Sequence, residues 1–96
     1  MAVIVYFPPS DTTTEQYDKI VKELEAVGAH PAPGLLSHAC FQDDGKLSVC
    51  DLWEDEASFR KFGETLMPIA QKVGAKFGDP YVTETHAYFV AEPART

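Results

Sequence analysis

The chain opens on Ala2-Val3-Ile4-Val5-Tyr6-Phe7, a β-branched and aromatic run with no polar alternation. Such a run suits a central strand covered on both faces. Pro8-Pro9 is expected to end it, because proline cannot donate to a strand ladder. Tyr17, Ile20, Val21, Leu24 and Val27 then recur at helical spacing, with Glu15, Asp18, Lys19 and Lys22 on the opposite face. Thr12 to Glu15 and Thr13 to Gln16 are equally good capping boxes, and Gly28 supplies a stop. The pattern predicts a helix over about 13–27.

After a stiff loop, His30-Pro31-Ala32-Pro33-Gly34, two strands are predicted over about 35–41 and 47–53. Asp43-Asp44-Gly45 lies between them, and Asp-Gly between apolar runs signals a hairpin. Asp55 is the expected N-cap of a second helix, with Glu56 in its first turn. Phe59, Phe62, Leu66, Ile69, Ala70 and Val73 carry that helix, which Pro68 is expected to kink or divide. Gly74 or Gly78 closes it. A last strand is predicted over about 81–90, followed by a loose tail, residues 92–96.

The order β-α-β-β-α-β is the split-βαβ, ferredoxin-like pattern of an α+β domain, here a single one over residues 1–91. Right-handed crossovers put both helices on one face of an antiparallel sheet of order 4-1-3-2. The other face is too apolar for water, since Trp53, Val49, Leu36 and Tyr88 or Phe89 cannot all lie beneath two helices. A second copy related by a two-fold axis is the expected cover, making a homodimer through the open sheet face.

Composition narrows the partners. The chain has 96 residues and a formal charge of −7, which repels nucleic acid and anionic membranes over most of its surface. No apolar run approaches the ~20 residues of a membrane helix. The N-terminus lacks a basic region and reads as a strand, not as a signal peptide, so a cytoplasmic setting is expected. Cys40 and Cys50 are read as free thiols and small core residues. Small molecules and other proteins are the partners left.

With the elements placed, the segment Val49-Cys50-Asp51-Leu52-Trp53-Glu54-Asp55-Glu56-Ala57-Ser58-Phe59-Arg60-Lys61-Phe62 resembles the strand-to-helix signature of the dimeric α+β barrel superfamily, in particular its antibiotic-biosynthesis-monooxygenase-like members. The resemblance is sharp over these fourteen residues and extends by element order to nearly the whole chain. It implies a dimeric barrel of two ferredoxin-like domains. The superfamily is functionally mixed: it includes cofactor-free oxygenases of aromatic polyketides, polyketide cyclases, haem-degrading enzymes, isomerases and many members with no known activity, so the resemblance implies the fold more firmly than a reaction. Two positions depart from the pattern. Val49 stands where quinone-forming members are expected to carry an Asn, and Phe62 where a His is common.

Strand parity sorts the candidate residues. A two-residue turn at Asp44-Gly45 makes paired residue numbers sum to 89, so His38 faces Asp51 and Leu36 faces Trp53, with Val49 on the same side. A three-residue turn with a bulge would break the His38–Asp51 pair. The two-residue turn is favoured because His38 and Asp51 are tolerable facing a cavity and costly beneath helices. A His–Asp pair in an apolar pocket can remove a proton from a phenol or from a carbon acid beside a carbonyl. It reads as readily as a structural hydrogen bond. Trp53 is either a wall for an aromatic ligand or an interface anchor.

In the last strand, Glu84, His86 and Tyr88 share a face, which is expected to look into the cavity together with Tyr6 from the first strand; His86 is a reserve base. No His, Cys, Asp or Glu spacing forms a metal-ligand set, and none of the histidines stands in a haem-ligand context. The reading is therefore a small cofactor-independent enzyme, monooxygenase- or cyclase-like, acting on an aromatic or polyketide-like molecule. His38 and Asp51 would be its acid/base pair. The alternative is a non-catalytic binding or structural homodimer.

Overall fold

The computed structural model describes residues 1–91. The tail, residues 92–96, lies outside them. Six elements follow in the expected order: β1 (Val3–Ser10), α1 (Thr14–Ala26), β2 (Leu35–Asp43), β3 (Lys46–Trp53), α2 (Glu56–Val73) and β4 (Tyr81–Glu84). The antiparallel sheet has the order β2-β3-β1-β4, and residues of both helices pack on one of its faces. The architecture is ferredoxin-like.

Local chemistry sets the boundaries. Of the two capping boxes, α1 uses the second: Thr13 Oγ1 accepts from Gln16 N at 3.1 Å, and Gln16 Oε1 accepts from Thr13 N at 2.9 Å. Gln16 Nε2 also donates to the carbonyls of Val73 and Gly74, tying the start of α1 to the end of α2. Asp55 caps α2 by accepting from Ser58 N at 2.7 Å, and hydrogen bonding from the Ser58 side chain and backbone holds its carboxyl below the usual range. Pro68 does not divide α2, which runs unbroken to a left-handed Gly74.

The prolines of β1 do not end the strand as expected. Phe7 pairs with Val49 and Ser10 with Leu47, so Pro8-Pro9 occupies a bulge opposite Ser48. A bulge leaves residues outside the ladder, which is where a residue without N–H is tolerated. β4, by contrast, stops six residues short of the predicted strand. It pairs only with β1, and the register Val3↔Glu84 reaches the first residue of that strand. Thr85 adds bonds from N and Oγ1 to Ala2 O, both 3.0 Å, and β1 then has nothing more to offer.

The β2–β3 hairpin carries the site. Asp43 pairs with Lys46 across Asp44-Gly45, whose φ values of 53° and 80° are those of a type I′ turn. His38 accordingly faces Asp51. The expected Leu36–Trp53 pair is corrected. A bulge between Leu35 and Ser37 makes Leu36 the extra residue and sets Leu35 opposite Trp53. Nearby, Gly34 has φ of +88° and no room for a side chain, since an added Cβ would stand 2.5 Å from Ser58 Oγ. Gly34→Ala is expected to lower unfolding stability by about 1–3 kcal/mol through overpacking, as read by chemical denaturation.

Two packed groups make the core. Val3, Val5, Ala32, Trp53 and Phe59 form one, against the sheet; Ile20, Leu24, Leu66 and Ala70 form the other, between the helices. Trp53 and Val49 are therefore buried beneath the helices and do not contribute to the open sheet face. Register places Ile4, Tyr6, Cys50 and Leu52 on that opposite face, with Phe41 and Tyr81 exposed there. Cys40 pairs with Val49 and Cys50 with Ala39, so the two thiols lie on opposite faces and are free. No helix of the described residues is long and apolar enough to cross a membrane.

Candidate active site: a histidine held between a carboxylate and a phenol

A cleft of about 60 Å³ separates α1 from the sheet. Its walls are Ile20, Val21 and Leu24 of α1, Phe62 and Leu66 of α2, and Phe7, Leu35 and Val49 of the sheet, closed by Phe77 and the Ala29–Ala32 loop. Four hydrogen-bonding side chains enter this apolar space as a continuous chain. Trp53 Nε1 donates to Asp51 Oδ2 at 3.3 Å. The other oxygen, Oδ1, stands 2.5 Å from His38 Nδ1, and His38 Nε2 stands 2.6 Å from the hydroxyl of Tyr17. The Tyr17 and His38 rings lie parallel, within 1°, at 6.1 Å between centroids.

The elements dictate this chain. Asp51 and Trp53 alternate on the helix-facing side of β3, the hairpin register brings His38 opposite Asp51, and Tyr17 stands in the first turns of α1 directly above. The pair thus lies where it was expected to be costly, beneath the helices. Both members of the pair are met by partners, which offsets the cost of the placement. Asp51, 4% exposed, has a donor on each oxygen. An ionised carboxylate only accepts, so in the neutral form of the imidazole the hydrogen sits on Nδ1, and Nε2 is left to accept from the Tyr17 hydroxyl.

Burial, with the negative charges that Cys40, Asp51 and Asp18 carry when ionised, pushes the Tyr17 phenol up to about 12. Burial and the same aspartates push the Cys40 thiol up as well. Folded protein therefore keeps the Tyr17 proton where an unfolded chain has released it, between about 10 and about 12. The corresponding stability is intact below the ordinary tyrosine value and is lost as pH rises toward the folded one. Of the four tyrosines, one is expected to ionise late in a phenolate-absorbance titration, and Tyr17→Phe should remove that late phase.

Of the residues singled out in the sequence, His38, Asp51, Trp53 and Val49 line the cleft together. Leu35 replaces Leu36 because of the bulge. Tyr6 pairs with Cys50 and Tyr81 and points to the opposite face. His86 and Tyr88 lie beyond the end of β4, exposed and at the far edge of the sheet from His38. Tyr17 escaped the sequence reading because it was absorbed into the apolar stripe of α1. The usable signal was its hydroxyl, since a tyrosine on a buried helix face requires a polar partner. Among the described residues no cluster of three or more His, Cys, Asp or Glu is arranged to hold a metal ion.

No protein-family model matches the chain, and no curated protein sequence does. Solved structures do. The cofactor-independent oxygenase SnoaB of Streptomyces nogalater superposes with a TM-score of 0.57 at 15% identity, over 91% of this chain and 93% of that one. The shared feature is the ferredoxin-like fold. A proposed antibiotic biosynthesis monooxygenase of Chloroflexus aurantiacus gives a TM-score of 0.55 at 17% identity, over 95% of this chain and all of the other. The ActVA-Orf6 monooxygenase of Streptomyces coelicolor, solved with nanaomycin D, gives 0.50 at 16% identity, over 97% and 91%. At these identities the likeness is one of fold.

Proposed function

We propose that the chain is a small cofactor-independent enzyme, monooxygenase- or cyclase-like, acting on a hydroxylated aromatic or polyketide-like molecule in the cleft between α1 and the sheet. The observation that carries the reading is the imidazole of His38, fixed by a buried carboxylate, with its basic nitrogen directed at a phenol oxygen in an apolar cleft. In this reading His38 is the general base, Asp51 holds its tautomer and stabilises the imidazolium, and Trp53, Val49 and Leu35 are walls.

Removal of a proton from a hydroxyarene gives an electron-rich anion that reduces O₂ directly. A new C–O bond forms at ring carbon, the O–O bond breaks, and one oxygen leaves as water, taking up the hydrogen displaced from carbon and the phenolic proton returned by His38. A phenol and O₂ thus yield a quinone and water with no external reductant. The same base acting on a carbon acid beside a carbonyl would close an aldol ring. The active unit in this proposal is a homodimer through the open sheet face, where Phe41 and Tyr81 are exposed.

Oxygen uptake by purified, chelator-treated protein across a panel of naphthols, anthrones and hydroxyquinones tests the oxygenase reading. Uptake matched by quinone formation supports it; no uptake and no cyclised product from a poly-β-ketone would leave the non-catalytic homodimer. One observation favours that second reading. A volume of about 60 Å³ is well below the ~150 Å³ of an apolar cavity that holds a benzene ring.

A further inference from the structure

Two features of the cleft oppose the binding of an aromatic ligand, and Tyr17 contributes to each. The free volume is about 60 Å³, far below the roughly 300 Å³ at which ordinary ligand pockets begin. The basic nitrogen of His38 is already engaged, 2.6 Å from Tyr17 Oη. The Tyr17 side chain takes part in both obstacles. Its ring occupies the space beside His38, and its hydroxyl satisfies the lone pair that a ligand would need.

We infer that Tyr17 is the gate and the internal stand-in of the site: a neutral phenolic ligand enters by displacing the Tyr17 ring and donating its own hydroxyl to His38 Nε2. The inference rests on the proposed role of the cleft and names the ligand chemistry it recognises.

The surroundings permit the exchange. Tyr17 is only partly buried, so one side of its ring already borders solvent. That backbone is held in place by the Thr13–Gln16 capping box and by the bonds of Gln16 to Val73 and Gly74. The exchange conserves the bonding of His38: one phenol O–H leaves Nε2 and another arrives, while Asp51 keeps Nδ1. The incoming ring takes the volume the outgoing ring gives up. Charge selects for neutrality, because Asp18 and Asp51 lie near Tyr17, and a carboxylate or phenolate would meet both. A ligand of the same shape without a hydroxyl would leave Nε2 unpaired in an apolar space, which site-built polar groups penalise.

The test uses p-cresol, which is the tyrosine side chain as a free molecule, and toluene, its counterpart without the hydroxyl. Binding is measured by calorimetry, and the His38 ring by nuclear magnetic resonance. Tyr17→Ala should bind p-cresol at least tenfold tighter than wild type, shift the His38 ring resonances and prefer p-cresol over toluene. Adding His38→Ala to that variant should erase the preference. Should Tyr17→Ala fold poorly, Tyr17→Phe, which keeps the ring and frees the nitrogen, should still gain several-fold in p-cresol affinity over wild type. Equal p-cresol affinity in wild type and variants overturns the inference, as does a preference for p-cresol that survives loss of His38. The binding assay reads no turnover, so a binding gain alongside neither oxygen uptake nor cyclised product in the activity panel would retire the enzyme and retain the gate.

Discussion

His38→Ala is expected to lower turnover of a hydroxylated aromatic by about 10²–10⁴-fold, the usual contribution of a positioned general base. That range corresponds to about 2.7–5.4 kcal/mol of transition-state stabilisation. The loss should fall on kcat more than on KM, since the proton is in flight only in the transition state. Asp51→Asn should approach the same loss while preserving shape. An amide that turns its NH₂ toward Nδ1 forces the hydrogen onto Nε2, where it no longer accepts from substrate. Retention of most activity in either variant would remove His38 from the chemistry. Unchanged stability in His38→Ala would further argue against a structural bond, because that substitution strips a hydrogen bond from the buried Asp51.

The second large effect is one of stability. Trp53 is 0% exposed, packs its ring against Phe59 at 5.9 Å and Phe62 at 5.3 Å, and supplies the donor to Asp51 Oδ2. Trp53→Ala is expected to cost about 3–5 kcal/mol, much of the roughly 5–15 kcal/mol that holds an ordinary domain together. Trp53 is the single tryptophan, so the unfolding transition must be followed by circular dichroism. Trp53→Phe should recover most of the packing and still disturb the site, because it leaves one oxygen of Asp51 without its donor. A loss under about 1 kcal/mol for the alanine variant would mean that the core around β3 is far looser than its burial indicates.

What the sequence made legible follows from how local each determinant is. The His38–Asp51 pair depends only on a two-residue turn, and Asp44-Gly45 is among the least ambiguous turns a sequence offers. The Leu36 bulge follows the Gly34 corner, which abuts Ser58 of another element, and no pattern in β2 announces it. The same holds for β4. Alternation through Tyr88 looked like a long strand, but the length of an edge strand is set by its neighbour, and β1 begins at Val3. Tyr17 shows a third kind of failure. Helical spacing assigned it a face correctly, while its role required knowing which strand residue stood beneath that face. Parity also misjudged the sides. The polar pair was assigned away from the helices on grounds of cost, and the cost is met by a bonded chain that no single segment reveals.

The type I′ hairpin has a consequence for the gene as well as for the protein. Because side chains alternate along β2, deleting or inserting one codon at Asp44-Gly45 would turn His38 to the opposite side of the sheet from Asp51. Point substitutions scattered over this hairpin leave that relation standing. A laboratory-evolution library built on this scaffold should therefore spare the turn from frame-preserving indels, which can silence the site from a distance without altering any residue in it.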